Sequence, residues 1–218
     1  MTIFQAEDVP GHDTISWLRK RFWKTHSHQF VDSGLSRTLD TSLQDVLVDI
    51  SSLAWMLNGH LGQEPQLTGY IFHDVLLLFG YRLLHINSVY GSRPVSWLGD
   101  ILQASLMVFI SSFLVGLGGI SPDFPPLSQL ARSVAHTYPG ANEENQEVYL
   151  WALFIGSAAI FSQQDDIWLL PRIQQTAFLL DLHDWENVSG ILSKFPWVKV
   201  LHDKPAQAVW NRSVSLHI

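Results

Sequence analysis

Residues 41–59 read TSLQDVLVDISSLAWMLNG, and this stretch decides the fold class. Its apolar residues recur at steps of three and four, which is the period of a helix with one buried face. They are Leu43, Val46, Leu47, Ile50, Leu53, Ala54 and Leu57. Thr41 and Gln44 have the spacing of a capping box, and Gly59 is a typical residue to follow a helix. We therefore predict an amphipathic helix that begins at Thr41 and ends before Gly59.

The same helical period continues on both sides of this stretch. A short helix is expected from Asp13 or Thr14 to Trp23. Further helices are predicted over about 68–90, 95–117, 127–135, 143–161, 171–180, 185–194 and 205–212. Pro171 and Pro205 are predicted to start two of them, and Asp184 is predicted to be the N-cap of the helix over 185–194. Alternating strand patterns are nearly missing, so we predict an all-α, single-domain irregular bundle of about eight to ten helices. Residues 1–40 form its N-terminal arm and short helix, and residues 41–218 form the helical domain.

Composition excludes several classes of function. The 218 residues carry a formal net charge of −7 and contain no cysteine. An acidic chain lacks the basic surface of general nucleic-acid binding, so no direct nucleic-acid partner is expected. A chain without cysteine forms no disulfide and no cysteine-ligated metal site. The N-terminus lacks the pattern of a secretory signal, which favours a cytoplasmic or nuclear location.

One stretch is long enough to raise the question of a membrane. Residues 101–120 carry no charge and match the thickness of a bilayer. They also contain Gln103, several serines and three glycines, and no cluster of basic residues flanks them. We therefore expect a helix buried within a bundle and no membrane span.

Large rings are frequent in this sequence, with nine tryptophans and twelve phenylalanines. Such rings line pockets or pack in cores. The residues predicted to bind a hydrophobic ligand are Trp55, Arg82, Trp97, Trp151 and Phe154. Each ring alone is more often a core residue, so pocket and core both stay open at this point.

A cluster of reactive side chains falls on the helix predicted over residues 68–90. Asp74, Tyr81 and His85 lie within one narrow angular band at 100° per residue, and Arg82 lies toward its edge. A carboxylate, a phenol and an imidazole together suit acid–base catalysis on an apolar substrate. They equally suit a buried polar network between helices, or contact with a ligand. These three residues are the catalytic candidates if the chain is an enzyme.

No cofactor and no metal are expected from the motifs. His26 and His28 have a usable spacing, but no third ligand is evident near them. Asp165 and Asp166 resemble magnesium-binding carboxylates in spacing, yet Ile167 and Trp168 follow where further acidic residues would be needed. A helix-capping loop is the better interpretation of this pair.

Several segments resemble one protein family. Residues 151–159 (WALFIGSAA) look like the tryptophan-led helix in the regulatory, or fungal-specific transcription factor, domain of fungal zinc-cluster transcription factors. Residues 184–188 (DWENV), with 195–197 (FPW) and Trp210, are similar to its closing segment. Residues 81–85 (YRLLH) resemble its middle helix. The resemblance covers residues 40–218 and implies a non-enzymatic helical domain that senses metabolites and contacts partner proteins.

The chain departs from that family at one decisive point. Family members carry a six-cysteine cluster that holds two zinc ions and contacts DNA, whereas this chain has no cysteine. The resemblance therefore implies a regulatory domain that stands alone. We expect a module that binds a hydrophobic small molecule. The alternatives are a cofactor-independent cyclase or isomerase of fungal specialised metabolism (secondary metabolism), and a protein–protein regulatory fragment; a homodimer is left open.

Overall fold

The computed structural model describes residues 14–22, 39–60, 68–86, 96–118, 125–138 and 143–215. Across these ranges the secondary structure consists of helices without any strand, which confirms the predicted all-α class. The chain divides into two compact units, Met1–Arg93 and Pro94–Ile218.

The described residues of the first unit form three helices. Helix α1 covers residues 14–22, α2 is Thr41–Trp55 and α3 is Gly69–His85. A π-helical turn, Met56–His60, follows α2 and contains Gly59 at φ 83°, a left-handed conformation that suits glycine. The short first helix and the role of Gly59 at the end of α2 are as predicted. The part of the prediction that carried α3 on from 87 to 90 lies outside the described residues.

The start of α2 differs from the prediction. Asp40 is the N-cap, and its carboxylate accepts a hydrogen bond from the Ser42 N–H at 2.9 Å. The Gln44 side chain donates to the Leu39 carbonyl at 2.8 Å. The Thr41–Gln44 capping box is therefore wrong. Asp40 takes the position because aspartate is a stronger N-cap than threonine.

The second unit contains six helices within its described residues. They are α4 (Trp97–Gly118), α5 (Pro125–His136), α6 (Glu143–Ala159), α7 (Asp166–Leu179), α8 (Trp185–Leu192) and α9 (Lys199–Val214). A 3-10 turn, Gln163–Asp165, precedes α7. Helix α6 lies at the centre, because it packs against the other five helices of the unit. Every residue from 148 to 156 is buried, as expected of a helix that is apolar on all sides.

Two predicted helix starts are wrong for one reason. Pro171 lies inside α7 and Pro205 lies inside α9, so both helices begin earlier than the prolines suggest. A proline lacks an N–H group, which removes one intrahelical hydrogen bond but does not require a start. Packing of the flanking turns outweighs that loss here. The N-cap predicted at Asp184 is confirmed, since its carboxylate accepts from the Asn187 N–H at 2.8 Å.

Helix α4 covers most of the uncharged stretch noted in the sequence. Its described side chains are largely buried among neighbouring helices of the second unit, as Leu102, Leu106 and Phe109 show. Of the helices within the described ranges, none combines the length and the apolarity needed to span a bilayer.

Candidate functional site

Two of the predicted pocket residues belong to the core of the second unit. Trp151 and Phe154 on α6 are fully buried. Trp151 donates from Nε1 to the Pro196 carbonyl at 3.1 Å and stacks on Phe195, with ring centroids 5.3 Å apart. Phe154 makes an edge-on contact with Trp185 at 6.2 Å. Both rings serve packing in this structure.

The other two predicted rings are half-buried and also have ring neighbours. Trp97 donates from Nε1 to the Val134 carbonyl at 3.1 Å and packs against Tyr138, with centroids 4.9 Å apart. Trp55, in the first unit, contacts Phe22 edge-on at 6.3 Å. Each of the four rings thus has a packing contact within its own unit.

Arg82 is held in an ion-pair network of the first unit. Its Nη1 donates to Asp49 at 2.5 Å, and Arg19 donates to the same carboxylate at 2.6 and 2.8 Å. The Asp49 side chain is almost completely buried. The hydrogen bond to Asp49 is the main cause that raises the pKa of Arg19. One carboxylate on α2 therefore ties α1 and α3 to it.

The position of Asp49 in the sequence already indicates this network. Asp49 lies three residues after Val46 and four before Leu53, so it falls on the apolar face of α2. A charged group on a buried face needs an opposite charge. Its partners come from other helices, which a helical period alone does not identify.

Asp74, Tyr81 and His85 share one face of α3, as predicted, but that face is exposed. Tyr81 and His85 are exposed and Asp74 is half-exposed. The Nδ1 atom of His85 lies 3.1 Å from the Tyr81 carbonyl oxygen, and Asp74 lies 3.9 Å from His73. The interpretation as a buried network is wrong for these three residues, because none of them is buried.

The exposed face of α3 carries a regular row of large side chains, which we call the outer seam. Its residues follow one another at steps of four, three, four and three: Tyr70, Asp74, Leu77, Tyr81 and Leu84. The four apolar or aromatic members are 77%, 48%, 64% and 56% exposed, in chain order. A contiguous exposed apolar row of this kind is typical of a surface that binds a partner.

The opposite face of α3 supplies the residues that this helix buries, so the outer seam is a second apolar face. Ile71, Val75, Phe79 and Leu83 are buried and supply the packing of α3 within the first unit. Helix α3 is therefore apolar on two sides, and only one side is buried. Among the residues that the structure describes, the second side of α3 is exposed.

A second group of polar residues surrounds Asp165 in the second unit. Asp165 accepts two hydrogen bonds from Arg132, at 2.7 and 2.9 Å, and one from Trp168 Nε1 at 3.0 Å. It also completes a capping box with Ser162. The bidentate contact with Arg132 is the largest cause that holds the pKa of this carboxyl well below its usual range. The predicted helix-capping loop is confirmed at Asp165.

Ser112 and His202 lie within hydrogen-bond distance of each other in the core, but the direction of their hydrogen bond does not suit catalysis. The Val198 N–H donates to His202 Nδ1 at 3.0 Å, so the imidazole proton sits on Nε2. Nε2 then donates to Ser112 Oγ at 2.9 Å, and the Ser112 hydroxyl donates to the Phe109 carbonyl at 2.6 Å. A base must accept the serine proton. This imidazole instead presents a donor to the serine, and both residues are buried.

Metal chemistry has no evident site in the part of the chain that the structure describes. No group of three or more histidine, aspartate or glutamate residues in those ranges could hold a metal ion. His26 and His28 lie outside them.

Comparisons with known proteins do not assign this chain to a family. No protein-family model matches this chain. Neither a curated protein nor a solved structure matches it. The resemblance to the fungal regulatory domain therefore stays a prediction, and the outer seam is the candidate functional site on structural grounds.

Proposed function

We propose that this protein is a non-catalytic helical module that acts by binding another protein chain through the outer seam of α3. The observation that carries the proposal is the exposure of Tyr70, Leu77, Tyr81 and Leu84 along one face of a helix whose other face is buried. Tyrosine and leucine in a row offer apolar area together with phenol hydroxyls. Protein-binding surfaces use tyrosine in this way.

The geometry favours protein binding over the small-molecule pocket suggested by the sequence. A ligand pocket encloses most of its ligand in a concave site. Two rings predicted to line such a pocket pack against other rings instead. Trp151 packs on Phe195, and Phe154 packs on Trp185. A helix face is convex, and it suits an apolar groove or a second helix better than a small molecule.

The geometry also favours binding over catalysis. Asp74, Tyr81 and His85 lie on one exposed helix face, where water keeps access to each group. Catalysis on an apolar substrate is strengthened by a site that excludes water. The resemblance to a regulatory domain that contacts partner proteins supports the same conclusion.

A photo-cross-linking amino acid placed on the seam tests this function. The residue p-benzoylphenylalanine at Tyr81 replaces one exposed ring by another, so the fold is retained. Irradiation of the intact chain in its producing cell is expected to give a discrete adduct with a protein. The same substitution at Val200, which is 86% exposed in the second unit, provides the matched control.

The pattern of adducts decides the result. A discrete protein adduct from position 81 and none from position 200 supports binding through the seam. Equal adducts from both positions, or none from position 81, would overturn the proposal. The mass of the adduct also identifies its kind, because a second copy of the chain adds 24.7 kDa.

A further inference from the structure

The spacing of the outer seam is that of a two-helix contact. Steps of four, three, four and three place side chains at the a and d positions of a heptad. Tyr70, Leu77 and Leu84 occupy d positions, and Asp74 and Tyr81 occupy a positions. This row therefore fits best against another helix that runs nearly parallel or antiparallel to α3.

The polar groups along the seam indicate which chain supplies that second helix. Asp74 is the only acidic member of the seam and lies in the N-terminal half of α3. The C-terminal half carries the Tyr81 phenol, which is 64% exposed. A phenol O–H group donates a hydrogen bond to a carboxylate. Each half of the seam is thus complementary to the other half of an identical seam.

The direction of such a pair follows from the same charges. In a parallel pair, the two Asp74 carboxylates would meet at one level of the contact, where like charges repel in a partly desolvated site. In an antiparallel pair, each Asp74 faces the half that holds Tyr81, and the two Leu77 side chains meet near the centre. Charged side chains along a two-helix contact commonly set its orientation, and a polar residue at an a position sets its register.

We infer that the occupant of the outer seam is a second copy of this chain, bound with the two α3 helices antiparallel about a two-fold axis near Leu77. The inference rests on the proposed function and names its partner. A two-fold contact of this kind is self-complementary, because the same patch serves both copies.

The size of the contact predicts its strength. Helix α3 has 17 residues and is therefore about 25 Å long. One helix face of this length buries less than about 1,200 Å² in total, which is the range of weak and transient complexes. We expect a dissociation constant on the order of 10–100 µM, which corresponds to a reversible dimer.

Sedimentation of the intact chain over a range of concentrations tests the self-association. The expected result is a monomer at low concentration and a dimer at high concentration. Leu77→Glu places a charge near the axis and should weaken the dimer by more than about tenfold. Val200→Glu, a change at a more exposed apolar position of the second unit, should leave the dimer unchanged. Helical circular dichroism should be equal for the three proteins.

Single cysteines test the direction, because the natural chain has none. In the antiparallel pair, Leu77→Cys places two thiols near the axis and should form a disulfide-linked dimer on oxidation. Tyr70→Cys places its thiols about 20 Å apart, beyond the reach of a disulfide. A parallel pair would link both variants equally.

Failure of this inference is separable from failure of the proposed function. A chain that stays monomeric at several hundred micromolar, or a dimer that resists Leu77→Glu, overturns the second-copy inference. Linkage of Tyr70→Cys as readily as Leu77→Cys overturns the antiparallel direction. If the Tyr81 cross-linker then yields an adduct with a different protein, the seam is still a binding surface and only its occupant was misassigned.

Discussion

His202 accepts the Val198 N–H at Nδ1, 3.0 Å away, and in this way caps the first turn of α9 with a side chain from within the helix. The bond fixes the proton on Nε2, which faces Ser112. Burial lowers the pKa of His202 to about 4. The folded protein therefore requires a neutral imidazole at this position.

The first prediction is a loss of stability in mild acid. The pKa of histidine is about 6.5 in the unfolded chain and about 4 in the folded chain, so the stabilisation is complete above pH 6.5. It is lost as the pH falls from 6.5 to 4, by about 3 kcal/mol at most. Urea unfolding of the second unit's helices at pH 7 and pH 4.5 measures this change. His202→Gln should be less stable at pH 7 and should show a flatter pH profile; an unchanged slope would contradict the assignment.

The second prediction concerns the shared carboxylate of the first unit. Asp49→Asn leaves Arg19 and Arg82 without their buried counter-charge and should cost about 3–5 kcal/mol of folding free energy. Asp45→Asn is the control. Asp45 also pairs with Arg19, at 3.2 Å, but its side chain is 58% exposed, so the loss should stay below about 1 kcal/mol. Equal losses in thermal unfolding would show that Asp49 is not the central group.

The third prediction compares two adjacent aspartates. Asp165→Asn removes the bidentate contact with Arg132 and weakens the capping box, so a loss of about 2–4 kcal/mol is expected. Asp166→Asn removes only the more exposed pair with Arg212 and should cost less than about 1 kcal/mol. Denaturant titration of both variants gives the comparison.

The same aspartate contributes to acid sensitivity with a definite sign. Its folded pKa lies below the unfolded value of 3.8, so its stabilising effect is present above about pH 4 and disappears as the pH falls further. Asp165→Asn should therefore lose less stability than the natural chain when the pH is lowered from 4 to 2. A parallel loss in the two proteins would contradict this role.

The fourth prediction concerns two helical glycines. A Cβ atom at Gly156 would overlap the Phe161 ring, which also contacts Trp168, whereas a Cβ atom at Gly190 would meet nothing within 4 Å. Gly156→Ala should destabilise the protein by about 1–3 kcal/mol through overpacking. Gly190→Ala should stabilise it by about 0.5–1 kcal/mol through helix propensity. Melting temperatures that move in the same direction for both variants would contradict this reading of the packing.

Much of the fold was predictable because helical periodicity is a local property. The apolar steps from Leu43 to Ala54 located α2 within one turn, and Asp184 located the start of α8. The errors arose where a non-local contact outweighed a local rule. Helix α9 begins at Lys199 and not at Pro205, and the His202 side chain accepts the hydrogen bond of the N-cap residue, Val198.

The candidate site was less predictable for a related reason. The sequence placed Asp74, Tyr81 and His85 on one face of a helix, which is correct, but periodicity alone does not say which of two apolar faces is buried. Phe79 and Leu83 lie in the core, whereas the outer seam lies on the surface. The fate of Trp151 likewise depended on Phe195 and Pro196, more than forty residues away.

The arrangement in which Asp49 holds Arg19 and Arg82 has a consequence for how the first unit opens. Detaching α1 or α3 alone would strand a guanidinium group or leave the carboxylate short of a partner, so neither helix is expected to fray independently. Backbone amides near Arg19, Asp49 and Arg82 should then exchange with deuterium at one common, slow rate. The first unit would then unfold as one cooperative element, because the Asp49 carboxylate joins its three described helices.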